Sequence, residues 1–379
     1  MKKPDDNMAP SVLAITNRPV YFHTGIYQEM AKSRTYTTLV CYLDRHGLDA
    51  GWDKTFGATI IFDFPMLEGY RYRFLKNFGW DRSASHMFSR INPGIIRQVF
   101  KHDIIFFLAT STMSHWLALF TGIITRKKMI WRGEATLPEH PGWRWRIKRP
   151  LIRFFLKHCH ALMYSCAGNR EYIESFHLDK PLYPILCAVD NDYYQDEYKR
   201  LSGQRNTLRR KWQIPRQAVV ILFPARLVER KNPGLLLDAL ADLKAAERNA
   251  FCLLFVGNGA LAPTLRQTCR EKAIPAVFTG FQTPGSLAGF YAQADIYINI
   301  AWEDYSPKAV NEAMNFELPV ILSSKIGTAR DLVPEGKNGF LIDPADKQAL
   351  IRALRKLLCP ALRRRMGKES GKIIKNFNF

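Results

Sequence analysis

Two cations and two carboxylates carry the chemistry this sequence can do. The stretch ARLVERKNPG follows an apolar run, Ala218–Pro224, that reads as a strand. Asn232 can cap a helix whose first residue is Pro233, so Arg226 and Lys231 fall on a strand-to-helix loop. Two fixed positive charges beside the N–H groups of a first helical turn make a seat for a phosphate or diphosphate. A second run, Asp295–Ile300, leads into AWEDYSPKAVNEAMNFELP. There Ser306 can cap and Pro307 can begin a helix, which presents the amides of Lys308 and Ala309 to an anion or a hydroxyl. Asp304 lies just before that helix and Glu312 more than a turn inside it. A carboxylate accepts two hydroxyl hydrogen bonds at once, so such a pair suits the vicinal diols of sugar and ribose rings. Between these segments Phe251–Val256 runs into GNG, where Gly257 and Gly259 allow a ligand close to the backbone. Glycine serves any strand-to-helix turn in the same way, so this pair is the least specific of the three signals.

Such loops act together only at the carboxyl edge of one parallel sheet. The second half supplies candidate strands at Ala218–Pro224, Phe251–Val256, Ala276–Thr279, Asp295–Ile300 and Pro319–Ser323. Helical patterns alternate with them at Pro233–Ala246, Leu261–Ala273, Gly285–Ala292, Pro307–Phe316 and Lys347–Leu358. The first half reads the same way, with strands at Ser11–Thr16, Tyr36–Leu43, Ala58–Phe62, Asp103–Ala109, Lys128–Trp131 and Ala161–Ser165, and a helix at Met113–Ile124. Near-continuous apolar strands between amphipathic helices predict two α/β, Rossmann-like, doubly wound parallel-sheet domains facing a cleft. The expected division is 1–190, a polar linker over 191–215, and 216–379. Loop candidates in the first half are His23, Thr24 and Gly25 after the first strand, and Arg132, Gly133 and Glu134 after the strand ending at Trp131. His115 reads as a packing residue on a helix face. Asp190-Asn191-Asp192 has a metal-binding spacing, but it falls in the linker, so no metal is expected.

Composition limits the rest. Of 379 residues, 47% are apolar and 23% charged, which excludes a disordered chain or a fibre. Lys plus Arg number 55 against 34 acidic residues, a formal charge of +21. Residues 126–157 hold net +8 and residues 347–375 net +9, so most of the charge sits in two patches. In the first, WRWRIKRPLIRFFLK (143–157) interleaves cations with rings, as an interfacial helix on an anionic membrane does. No nucleic-acid module accompanies it, and nucleic acid is not an expected partner. Seven scattered cysteines without a C-x-x-C pair argue against a disulfide framework or a zinc site and for a reducing compartment. No run of 18 apolar residues occurs. The opening MKKPDDNMAP reads as a frayed terminus and not a signal peptide.

The motifs RLVERKN, VGNGAL, TGF at Thr279–Phe281, DYSPKAVNEAM, LPVILSSKIGTARDLV and GKNGFLI occur in order across about 140 residues, 218–358. In this they resemble the donor domain of retaining glycosyltransferases of family 4, which have the two-domain GT-B fold. The resemblance implies that Arg226 and Lys231 neutralise the donor diphosphate and that Glu312 holds the ribose hydroxyls. Asp304 then contacts the transferred sugar, where the family more often has Glu; Glu303 is adjacent. Gly257, Gly259, Phe281, Ser306, Lys308 and Ala309 fall at nucleotide-binding positions, and His23, Gly25, Arg132 and Glu134 on the acceptor side. The implied reaction moves a sugar from a nucleotide-diphospho-sugar to a glycan or lipid-linked saccharide in cell-envelope polysaccharide biosynthesis, with retained anomeric configuration. The nucleotide-sugar is a co-substrate; no metal and no other cofactor is expected, and the leaving phosphate takes the acceptor proton. The expected location is the cytoplasm, peripheral on the inner face of the cytoplasmic membrane. Other enzymes of the fold, a sugar epimerase or a phosphorylase, are the alternatives, together with a non-catalytic, basic, membrane-associated relative. Proteins of this fold usually end in a helix that crosses back to the first domain, and a chain stopping at KNFNF leaves little for it.

Overall fold

Strands that are apolar on both faces need cover on both faces, and this chain supplies it twice. The computed structural model describes residues 9–46, 48, 51–53, 58–60, 65–80, 86–138, 141–334 and 336–379. Most of the N-terminal segment read as frayed, the end of the 58–62 candidate strand and Glu139 lie outside the described residues. Two compact units divide the chain: residues 1–50 with 65–186, and residues 51–64 with 187–379.

In chain order the strands are β1 Ser11–Thr16, β2 Thr37–Tyr42, β3 Gly51–Asp53, β4 Ala58–Ile60, β5 Tyr72–Phe74, β6 Ile104–Phe107, β7 Lys128–Gly133, β8 Ala161–Tyr164 and β9 Leu182–Pro184. They continue with β10 Val219–Pro224, β11 Phe251–Val256, β12 Ala276–Phe278, β13 Ile296–Asn299, β14 Val320–Ser323 and β15 Gly339–Ile342. The first unit has a seven-stranded sheet, β5-β2-β1-β6-β7-β8-β9, and the second a six-stranded sheet, β12-β11-β10-β13-β14-β15. Every pairing within these two sheets is parallel. The expected fold class, two doubly wound parallel-sheet units, is therefore what the chain adopts.

Alternation along β10 shows how the second sheet is covered. Val219, Ile221 and Phe223 pack with Leu236, Leu240 and Leu350 on one face, and Val220 and Leu222 with Tyr291, Val310 and Met314 on the other. Each such side chain contributes roughly 1.5–3 kcal/mol when fully buried.

Three expectations need correction. The described part of the 58–62 candidate, Ala58–Ile60, pairs antiparallel with β3 and joins neither large sheet. Strands β3, β5, β9 and β15 lie outside the expected set. β5 and β9 are three-residue edge strands carrying Arg73 and Pro184, too short and polar for periodicity to reveal. At β15, a Cβ on Gly339 would stand 2.0 Å from the Val320 carbonyl oxygen, so the glycine that hides the strand also permits its approach to β14.

The expected linker is the third correction. It folds as helices Asn191–Leu201 and Arg205–Lys211, whose Tyr194, Leu201 and Leu208 join Ile214 in the core with Tyr291 and Phe316. Asp190 accepts from the Tyr193 amide at 2.9 Å, so the D-x-D spacing includes a helix cap. The C-terminal stretch holds a fifteen-residue helix, Pro360–Ile374, packed within the second unit. A Cβ on Gly367 would lie 2.0 Å from the Glu317 carbonyl oxygen, so that glycine lets the helix lie directly on the turn after helix Lys308–Asn315. Asn191 binds the two helices together: its Nδ2 donates to the carbonyls of Ile374 (3.0 Å) and Phe377 (3.2 Å), and its Oδ1 accepts from Asn315 Nδ2 at 2.7 Å.

His115 is fully buried on helix Met113–Ile124, with Nδ1 2.7 Å from Thr112 Oγ1. Burial and the nearby Arg90 charge push its imidazole down to about 3, which keeps it neutral in the packed unit. All seven cysteines are free thiols, six of them buried.

Candidate functional site

The order of the second sheet places the site. The chain enters at β10, steps outward to β11 and β12, then returns to the other side of β10 at β13. Loops leaving β10 and β13 at their carboxyl ends therefore diverge, and a crevice opens between them at this switch point.

The two loops meet through charge. Lys231 Nζ donates to Asp304 Oδ2, and Asn299 Nδ2 reaches the same oxygen at 3.2 Å. The Arg230 guanidinium donates to the Glu303 carbonyl, and the Trp302 amide donates to the Arg230 carbonyl at 3.0 Å. A third loop, after β14, joins where the Gly327 amide donates to the Asp304 carbonyl at 2.9 Å. The turn after β11 is fastened by Leu227 N–H to Asn258 O and Leu261 N–H to Leu227 O, both 3.0 Å. Four separated stretches of sequence thus converge on one sheet edge, with Arg226 half-buried on the first.

The electrostatics follow from burial. The side chains of Lys231 and Asp304 are only 12% and 15% exposed. Loss of water lowers the Lys231 pKa from its ordinary value, and the Asp304 carboxylate opposes that shift. The cation is thereby fixed in place, and a phosphate oxygen approaching it competes with a single carboxylate.

The other candidates are placed less as expected. Asn232 does hold the N-cap position before Pro233, but its side chain makes no cap bond: it takes φ 56°, ψ 40°, a conformation asparagine tolerates, and its Nδ2 donates to the Pro344 carbonyl at 2.8 Å. Ser306 does not hold the cap position. Pro307 is the N-cap, the helix begins at Lys308 with Ala309 next, and Ser306 Oγ accepts from Lys308 Nζ at 3.1 Å. Glu312 is fully buried, and its Oε2 accepts from the Tyr291 hydroxyl at 2.6 Å; the carboxylate expected to meet a ribose is turned onto a tyrosine. Gly257 and Gly259 do allow a close approach, but of the chain's own backbone. Added Cβ atoms would lie 2.2 Å from the Ala225 oxygen and 2.4 Å from the Leu227 oxygen, and Gly257 has φ +144°. The glycines nest the β11 turn under the Arg226 loop. The Gly257 amide also donates to Gly280 O at 2.9 Å, which brings the turn carrying Phe281 alongside.

Sequence reasoning passed over Arg230, Asn299 and Tyr291. Arg230 adjoins Lys231 and was readable as a loop cation. Nothing local marks Asn299, the last residue of an apolar strand, or Tyr291, which lies on a different helix 21 residues from Glu312.

In the first unit His23, Arg132 and Glu134 come together. Arg132 donates to Glu134 Oε1 at 3.2 Å, and His23 Nε2 lies 3.6 Å from the same oxygen. Two corrections apply. His23, Thr24 and Gly25 lie in the first turns of helix Tyr21–Lys32, not on a loop, and Arg132 and Gly133 still belong to β7. The 143–157 segment is a helix, Trp143–Lys157, that buries Phe155 and Leu156 and exposes Trp143, Ile147, Leu151 and Phe154 on one stripe. Arg144, Arg146 and Lys148 flank that stripe, exposed. Among the described residues no helix is long and apolar enough to cross a membrane.

Residues 204–372 match the family model of the glycosyl transferases group 1. That span contains every loop of the crevice. Sulfoquinovosyl transferase SQD2 of Arabidopsis thaliana is 30% identical over 142 residues, 37% of this chain and 26% of that protein. The GalNAc-alpha-(1->4)-GalNAc-alpha-(1->3)-diNAcBac-PP-undecaprenol alpha-1,4-N-acetyl-D-galactosaminyltransferase of Campylobacter jejuni is 25% identical over 179 residues, 46% of this chain and 49% of that protein. The chain thus spans half or less of these curated relatives. Among solved structures, Anabaena HepE in complex with UDP superposes with a TM-score of 0.73 at 14% identity, over 98% of this chain and 96% of that one. WaaG, a glycosyltransferase involved in lipopolysaccharide biosynthesis, gives 0.65 at 13% identity, over 96% and 95%. The fold is that of the GT-B glycosyltransferases.

Proposed function

We propose that the chain is a retaining glycosyltransferase that takes its sugar from a nucleotide-diphospho-sugar. The observation that carries this reading is the Lys231–Asp304 pair at the β10/β13 switch point, with Arg226 on the same loop. As the C1–O bond loosens, negative charge collects on the departing diphosphate. Arg226 and Lys231 stabilise it there, each worth about 3–4 kcal/mol if it acts as a preorganised oxyanion donor does. These cations supply the neutralisation a divalent metal provides elsewhere. Asp304, held by Lys231 and Asn299, accepts from hydroxyls of the transferred sugar, and the leaving phosphate takes the acceptor proton. Glu312, its carboxylate oriented by the Tyr291 hydroxyl on Oε2, accepts from the ribose hydroxyls.

Thermal unfolding with UDP, GDP and their sugar conjugates tests the donor site. A nucleotide should raise the unfolding temperature of the wild type and not of Arg226→Ala, since binding to the folded state alone stabilises it. An equal rise in both chains removes the proposal. Donor consumed without acceptor, yielding an isomerised nucleotide-sugar, would point to an epimerase instead.

The acceptor we infer is a lipid-linked or envelope saccharide met at the inner face of the cytoplasmic membrane. The exposed stripe of helix Trp143–Lys157 supports this, as does the PP-undecaprenol in the name of the Campylobacter relative. Arg144, Arg146 and Lys148 changed together to Ser should cut binding to phosphatidylglycerol vesicles by a factor of about 10² at low salt, at roughly 1 kcal/mol per cation near the surface. Unchanged vesicle binding would end the membrane reading and leave the donor site untouched.

A further inference from the structure

A cavity of about 390 Å³ opens in the second unit at the edge of the sheet opposite the crevice, where Asp295 and Pro319 precede β13 and β14. Its volume falls in the range of small-molecule sites. One exposed ring lines it, Tyr198, whose centroid lies 5.7 Å from that of Phe316; Phe316 and Tyr291, 5.5 Å apart, are buried behind it.

The rim carries more positive charge than the protein neutralises. Asp295 is already held by Arg205 and, at 2.7 Å, by Arg209. Glu317 is met by the Tyr198 hydroxyl at 3.3 Å and, among the described residues, by no cation. Arg363 is spent on the carbonyls of Leu357 and Leu358 at the entry to the C-terminal helix. Arg364 and Lys368 remain. They lie four residues apart on that helix, line the cavity, are exposed, and make no hydrogen bond or ion pair among the described residues. Like charges at this spacing repel, and a shared anion relieves the repulsion.

The geometry points to a second ligand site in this cavity, separate from the donor crevice, for a small molecule bearing a phosphate monoester. Arg364 and Lys368 take the phosphate, and the exposed Tyr198 ring takes the apolar face of an attached ring. Arg205, already partnered, closes the rim. The Tyr291 ring forms part of the wall while its hydroxyl holds Glu312, so the site lies one side chain away from the helix of that carboxylate.

The test is calorimetric titration of the full chain with glucose 6-phosphate and, with R144S/R146S/K148S present so that helix Trp143–Lys157 does not capture the surface, with phosphatidylcholine vesicles containing phosphatidic acid, which separates a soluble source of the phosphate from a headgroup. In R364S/K368S the Kd for the probe that binds should rise at least tenfold, an order of magnitude set by the loss of two charge-assisted bonds. R365S/K375S removes the same charge from the same end of the chain outside the cavity and should leave the Kd within twofold. Arg226→Ala should also leave it unchanged, because the donor loop is not involved. Equal weakening in both double variants would show diffuse attraction only, loss in Arg226→Ala would show capture by the donor crevice, and no binding of either probe would show no site. Each of these overturns the proposal.

Discussion

Arg226→Ala should lower kcat/KM for the nucleotide-sugar by a factor of about 10²–10³, the cost of removing one preorganised charge donor from a developing oxyanion. Folding should be unaffected, because the side chain is half-buried on a loop whose backbone is held independently by the Asn258 and Leu261 bonds. Lys restores charge but not the planar fork, so Arg226→Lys should recover only part of the loss. The measurement is steady-state turnover alongside the unfolding midpoint. A variant that turns over like wild type removes the diphosphate from this loop. A variant that fails to fold is excluded by the midpoint, so the kinetic result keeps its meaning.

Much of this site was legible because its logic is local. A strand-to-helix loop with two cations, and a carboxylate just before a helix, are patterns within ten residues, and the parallel sheet forces such loops to one edge. What was not legible depends on partners distant in sequence. Ser306 and Asn232 are good capping residues by type, yet Lys308 Nζ and the Pro344 carbonyl take their side chains. Glu312 looks available on a helix whose opposite face should be core, but Tyr291, 21 residues away, claims its carboxylate. The 191–215 segment looked like a linker because polar residues outnumber apolar ones. Its few apolar residues are spaced for a helix face, and Asn191 has its partners near the far end of the chain. The glycines of the β11 turn mark a close approach by type, and the neighbour the structure shows is the backbone of the Arg226 loop, which sequence spacing alone does not name.

Asp304→Ala should destabilise the second unit by about 3–5 kcal/mol, the usual cost of leaving one partner of a buried ion pair alone. The figure is large because Lys231 keeps its position among buried atoms: it is 12% exposed, and its pKa is already lowered by lost hydration. Without the carboxylate that opposes this shift, Lys231 must move to water, carry an unpaired charge or give up its proton. Removing both charges, as Lys231→Met with Asp304→Leu, should recover most of the lost stability, since apolar pairs of similar volume replace buried ion pairs at little or no cost. Turnover should not recover, because neither the diphosphate cation nor the sugar-facing carboxylate is restored. Urea unfolding of the four chains of this double-mutant cycle gives the coupling energy, and the same four preparations give the kinetics. If the pair exists only to hold two loops together, the double variant should regain activity with stability. A stable, inactive double variant instead assigns the pair to the donor, and the loops to the Arg230 guanidinium on the Glu303 carbonyl and the Trp302 amide on the Arg230 carbonyl, which survive in every member of the cycle.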